Sequence, residues 1–163
     1  AHVFAYLAAE YPALEHVLDA LESLDVGVSV TVRGADARLI ARLQQRRVKL
    51  QATPFDLPRI LQRSSVVVHH AASNTSHAAM DAGRPQLVLP FHLENTLMAQ
   101  RLLKLRVAVG AGYRECNRLP ALLARALGDS ALTQRARDLA RELREHEWRG
   151  AERVADTARP WVD

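Results

Sequence analysis

Two apolar runs each end in a cluster of polar residues. Val66-Val67-Val68 ends in His69-His70, followed by Ala71-Ala72-Ser73-Asn74-Thr75-Ser76. Gln86-Leu87-Val88-Leu89-Pro90 ends in His92-Leu93-Glu94-Asn95. Between them a helical stretch from about Asn74 stops at Gly83. A helix starting there presents unsatisfied backbone N–H groups and the positive end of its dipole. Asn74, Thr75 and Ser76 add side-chain donors, and Ala71, Ala72 and Ser73 are small enough to let a ligand reach the backbone. That chemistry suits a phosphate group. His70, at the strand end, can donate a hydrogen bond to the same anion, a contact that is pH-sensitive by nature. A plain N-cap role explains Asn74 without any ligand. Glu94 and Asn95 add the second half of the pattern, because their acceptors bind sugar hydroxyls and repel phosphate. A phosphate site beside a hydroxyl site is what a nucleotide sugar requires.

The remaining candidates have plainer readings. His77 and Asp81 are spaced i,i+4 on the helix, as a surface pair or a catalytic pair would be. His92 falls on a loop facing the same region, as a substrate contact or as an exposed side chain. His69 and His70 point to opposite sides of one strand, so at most one of them faces a ligand directly. The histidines lack zinc-ligand spacing with other donors, so no metal is expected. Cys116 has no nucleophile context, and Met80 and Met98 read as core filler.

The elements that must position these residues follow from periodicity. His2–Leu7, Val26–Val32, Val48–Ala52, Ser65–His69, Gln86–Pro90 and Val107–Val109 read as strands. Helices alternate with them. One opens at Pro12 with Leu14, Val17, Leu18, Leu21 and Leu24 on one face. Others span Ala37–Gln45 behind Asp36, a short segment behind Asp56, Asn74–Ala82, and Thr96–Leu105. After Gly112 only helices follow: one capped by Asn117, a long one at roughly Ala131–His146 capped by Asp129 or Ser130, and a last one over Ala151–Ala158. The alternation predicts an α/β fold, a Rossmann-like parallel sheet of about six strands with helices on both faces and closing C-terminal helices. In such sheets ligands bind beyond the carboxyl ends of the strands, where every polar cluster above lies.

Composition excludes several classes. The 163 residues suit one domain with a real core. Net charge is +4, but acids and bases interleave and aromatics are few at 5%, so no nucleic-acid groove is expected. One cysteine allows no internal disulfide, which favours a reducing, cytoplasmic setting. No apolar run approaches a membrane span. The chain begins Ala-His, without a visible signal peptide, and is expected to be a piece of something longer.

The stretch His70–Asn95 resembles the donor-binding signature of the GT-B UDP-glycosyltransferases, the family of plant secondary-metabolite, mammalian glucuronosyl- and bacterial antibiotic enzymes. The bacterial form reads His-His-Gly-Gly-Ala-Gly-Thr-Thr, a helix, Ala-Gly-Val-Pro-Gln, an apolar strand ending in Pro, then Asp-Gln. The counterparts here are HHAASNTS, AGRPQ, LVLP and Glu94-Asn95, in matching order and spacing. The resemblance implies a diphosphate site at His70, Ser73, Asn74 and Thr75, a sugar site at Glu94 and Asn95, and a nucleobase site at Thr53 and Phe55. It also implies metal-independent chemistry with no cofactor beyond the nucleotide-sugar substrate. There are departures. The glycines are Ala71 and Ala72, the base-stacking Trp of plant members is Ala52, and their ribose-binding Glu falls at Ala78. The first-strand loop reads Ala8-Ala9-Glu10, and Glu-Asn stands for Asp-Gln.

The whole chain, 1–163, is thus expected to be the nucleotide-sugar-binding C-terminal half of an inverting hexosyltransferase using a UDP- or TDP-sugar. The catalytic base and the site for a small-molecule or lipid acceptor would lie in an N-terminal domain outside this chain. Three alternatives stay open. One is another GT-B enzyme, a lipid-intermediate sugar transferase or a nucleotide-sugar epimerase. Another is a non-catalytic module with a degenerate donor site. The last is a helix-rich basic module for nucleic acid, which would show a steeply salt-dependent gel shift.

Overall fold

The β-branched and apolar runs become six strands because each can be buried on both faces of a parallel sheet. In the computed structural model, which describes residues 1–50 and 55–146, they are β1 (His2–Ala8), β2 (Gly27–Arg33), β3 (Lys49–Leu50), β4 (Val66–His69), β5 (Gln86–Val88) and β6 (Ala108–Gly110). The order is β3-β2-β1-β4-β5-β6, and every pairing is parallel. The strand order reverses between β1 and β4. Adjacent strands there diverge into crossovers on opposite faces and leave a crevice at their carboxyl ends. Register sets the residues at its floor: Tyr6 opposes His69, and His69 opposes Val88.

Helices cover both faces. Val3, Ala5, Leu7, Val66, Val68 and Leu87 point to one side. There they meet α1 (Leu14–Glu22), α2 (Ala37–Gln44) and α6 (Leu119–Gly128) through Leu18, Leu21, Leu43 and Leu123. The alternate residues Phe4, Val67 and Val88 point to the other side. They meet α3 (Leu57–Arg63), α4 (Ser73–Asp81), α5 (Leu93–Lys104) and α7 (Ser130–Glu145) through Leu61, Ala79, Leu102 and Leu139. The period of two along each strand produces both layers. Three helices start as the sequence indicates. Asp36, Asp56 and Asp129 accept from the amides of Leu39, Arg59 and Leu132 at 2.7, 3.1 and 3.0 Å. Gly83 takes φ +64 and ends α4, and the tight packing of α4 on α7 lies directly behind it.

Several boundaries differ from the sequence reading. Helix α5 begins at Leu93, not Thr96, because the His92 carbonyl already accepts from the Thr96 amide at 2.9 Å. Leu93 is 78% exposed and Leu97 53%, so the apolar spacing that set the expected start does not describe the buried face. Helix α4 begins at Ser73, with Ala72 at the N-cap, so Asn74 sits inside the first turn and caps nothing. Asn117 lies within a 3-10 turn, Tyr113–Arg118, that runs directly into α6. The exposed Arg42 of α2 pairs with Glu15 of α1, and Arg46, just past α2, pairs with Glu15, Asp19 and Glu22, fastening the two helices together. The expected helix over 151–158 and part of the third strand lie outside the described residues.

Candidate functional site

A cavity of about 270 Å³ opens at the carboxyl ends of β1, β4 and β5. Tyr6, Leu7 and Ala8 line it from β1, Arg33 from β2, and His69, His70, Ala72 and Thr75 from β4 and the start of α4. Phe91, His92, Glu94 and Asn95 complete the far wall at the start of α5. The N-termini of two helices therefore meet at one cavity. The amides of Ser73, Asn74 and Thr75 precede the first i−4 bond of α4, which runs from Ser76 to Ala72 at 2.9 Å. Thr75 and Asn95 are buried in the cavity wall, and Glu94 is exposed at its rim.

His70 is held by three elements. Its Nε2 accepts from the Ala8 amide at 3.0 Å, which leaves Nδ1–H to donate to the Leu89 carbonyl at 2.8 Å. The two bonds tie the end of β1 to the chain leaving β5 and fix one tautomer. The ring lies 4.5 Å from that of Tyr11 and 4.9 Å, edge-on, from that of Phe91. Burial lowers its pKa, opposed by the bond to Leu89 and by Glu10. Its only N–H in the neutral form already has a partner.

His69 organises the turn behind it. Its Nε2 bonds Gln86 Oε1 at 2.9 Å, and its Nδ1 accepts from the Ala71 amide at 3.0 Å. Burial pushes its pKa down to about 4, so the ring is neutral. The bond to Ala71 helps hold that residue at φ +60, a left-handed conformation that glycine adopts most easily. The turn is thus built with alanine. Tyr11, 3% exposed, has its hydroxyl pushed up to about 12, first by burial and then by Cys116.

The sequence-predicted residues divide. His70, Thr75, Glu94 and Asn95 line one cavity. Ser73 and Asn74 occupy the same helix turn without lining it. Phe55 packs edge-on against Phe4 and Tyr6, with centroids 5.6 and 5.8 Å apart, beneath the cavity's Tyr6 wall. Thr53 lies outside the described residues. His77 and Asp81 are exposed on α4, and no hydrogen bond between them is found among the described residues. Sequence reasoning missed Arg33, Tyr11 and Phe91. The position of Arg33 as the last residue of a strand in a doubly wound sheet was the available signal. A wider groove of about 590 Å³ lies between the starts of α1 and α2. Its Arg42 is paired with Glu15, the start of α2 is capped by Asp36, and the first turn of α1 there carries the Glu15 carboxylate.

A family profile described as erythromycin biosynthesis protein CIII-like, C-terminal domain, matches residues 15–148. The chain belongs to this family. Elloramycin glycosyltransferase ElmGT of Streptomyces olivaceus is 36% identical over 111 residues, 68% of this chain and 28% of that protein. Two solved structures share the fold at 22% identity. The glycotransferase of kitacinnamycin superposes with a TM-score of 0.76 over 98% of this chain and 43% of its own. Glycosyltransferase VinC, solved in complex with dTDP, gives 0.75 over 88% and 37%. The chain therefore spans well under half the length of these relatives. This member of the CIII-like family has a six-stranded parallel, Rossmann-like α/β fold that matches these GT-B structures. None of its described helices is long and apolar enough to cross a membrane.

Proposed function

We propose that this chain is the donor-binding half of an inverting glycosyltransferase that moves a hexose from a UDP- or TDP-sugar to an acceptor hydroxyl. The observation that carries the reading is the meeting of two helix N-termini at the switch-point cavity, with hydroxyl-binding groups on one wall and phosphate-binding groups on the other. The ligand named with VinC supports a nucleoside diphosphate there. The left-handed turn at Ala71, held by His69, favours a working site over a degenerate one.

In this reading the amides of Ser73, Asn74 and Thr75, with the Thr75 hydroxyl, take the diphosphate oxygens. Glu94 and Asn95 accept from hydroxyls of the sugar. The nucleobase lies toward Phe55. His70 fixes the loop that the diphosphate rests on, and contacts the diphosphate itself by exchanging one of its two backbone partners. The acceptor hydroxyl attacks the anomeric carbon as a base from the N-terminal domain removes its proton, and the C–O bond to the diphosphate breaks. Helix dipoles oriented before the reaction stabilise the charge that grows on the leaving oxygen. The acceptor and the base belong to that other domain.

Calorimetric titration tests this reading. Uridine or thymidine diphosphate should bind the chain with a dissociation constant below about 1 mM. Glu94→Ala should weaken binding of the matching nucleotide-hexose about tenfold or more, through loss of a charged hydrogen bond, without weakening binding of the diphosphate alone. Absence of saturable heat with either diphosphate at millimolar concentration would contradict the reading, as would steady sugar transfer by the chain alone.

A further inference from the structure

Arg33 is the only lysine or arginine among the described residues lining the cavity. Its backbone is fixed at the end of β2, where its carbonyl accepts from the Ala9 amide at 2.9 Å. Its guanidinium Nη2 meets Glu10 Oε1 at 2.7 Å. Both side chains are largely in water, at 60% and 50% exposure. Glu10 stands on the loop after β1, beside Gly34. An ion pair this exposed contributes little and is easily exchanged.

Among the described residues lining the cavity, no other lysine or arginine supplies a full positive charge. His69 is neutral, and the one N–H of neutral His70 bonds Leu89. The two helix N-termini offer about half an elementary charge each, less than a diphosphate carries. Glu94 adds negative charge on the far wall. A guanidinium on the near wall is the group that balances this, and its planar fork suits two phosphate oxygens at once.

We propose that Arg33 is a binding residue that clamps the donor diphosphate, with Glu10 as the competing carboxylate it leaves when the diphosphate enters. The proposal rests on the donor-binding reading above. It predicts opposite signs for the two partners, which a merely structural ion pair would not give. Removing Arg33 weakens diphosphate binding, and neutralising Glu10 strengthens it by freeing the guanidinium.

The test is calorimetric titration of the full chain with thymidine diphosphate, uridine diphosphate and inorganic pyrophosphate, on Arg33→Ala, Arg33→Lys, Glu10→Gln and the double variant Glu10→Gln/Arg33→Ala. Arg33→Ala should lose about tenfold in affinity for the nucleotide that binds best and for pyrophosphate. Arg33→Lys should recover part of that loss, because it restores the charge without the fork. Glu10→Gln should tighten binding severalfold, and the double variant should match Arg33→Ala. Urea midpoints of all four should stay near wild type, since the pair is exposed. Wild-type affinity in Arg33→Ala, or weaker binding in Glu10→Gln, would overturn the proposal while leaving donor binding intact. Failure of the wild-type chain to bind any of the three ligands would overturn both.

Discussion

His70 closes a joint between the ends of β1, β4 and β5, and its two ring bonds make it structural as well as functional. His70→Ala should strip partners from the buried Ala8 amide and Leu89 carbonyl, each costing about 1–3 kcal/mol. Urea denaturation should therefore show a loss of at least about 2 kcal/mol alongside any loss of nucleotide affinity. An unchanged midpoint would show that the joint is not needed. His69 gives a pH signature. Its folded pKa is about 4 against an ordinary 6.5. The unfolded chain therefore takes up a proton as pH falls below about 6.5, and the folded chain does not. Stability from this group is full above that pH and is lost as pH falls towards 4, by about 3 kcal/mol in all. His70 and His2 are lowered too and act in the same direction. Urea midpoints at pH 7.5 and 5 should differ markedly in wild type and less in His69→Gln. The residue types and spacing of the site were legible in the sequence, because a strand end and a helix start confine His70, Thr75, Glu94 and Asn95 to one neighbourhood. The partners of His70 were not. They are backbone groups 62 and 19 positions away, and no local pattern announces them. Arg33 was one of 22 basic residues, and its place at the end of a strand was the one feature that set it apart.

At the scale of elements, the α4–α7 contact tests how the signature helix is held. A Cβ on Gly83 would stand 3.3 Å from both the Ala140 Cβ and the Arg137 Cα, in a left-handed conformation. Gly83→Ala should cost more than about 1 kcal/mol from backbone strain alone, plus the cost of separating the helices. Asp129→Ala should remove the α7 cap at a cost of about 1 kcal/mol, and a urea midpoint resolves both. Helix existence was legible from period and caps. The start of α5 was not, because its first turn presents Leu93 and Leu97 to solvent and buries Asn95 instead. A rule that assigns apolar residues to the core reads that turn as loop. The start of α4 moved for a related reason. Backbone geometry at Ala72 suffices for an N-cap position without any side-chain bond, so Asn74 is left free in the first turn.

For the whole molecule, alternation of strands and helices fixed the fold class, and pairing decides which strand ends become neighbours. The pairing of β4 with β5 brings the two polar clusters, some twenty residues apart in sequence, to one crevice, and the pairing of β1 with both β2 and β4 sets Arg33 of β2 beside it. That assembly is long-range and no single segment encodes it. The CIII-like match and the folds of the solved relatives agree with this architecture. The central claim is that a nucleoside diphosphate sits on the first turn of α4. Amide chemical-shift mapping of the chain titrated with thymidine diphosphate tests it most directly. The account predicts saturable shifts at Ser73, Asn74 and Thr75, with smaller ones at Ala8, Glu94 and Asn95. Shifts confined to the groove between α1 and α2, or none at millimolar ligand, would contradict it.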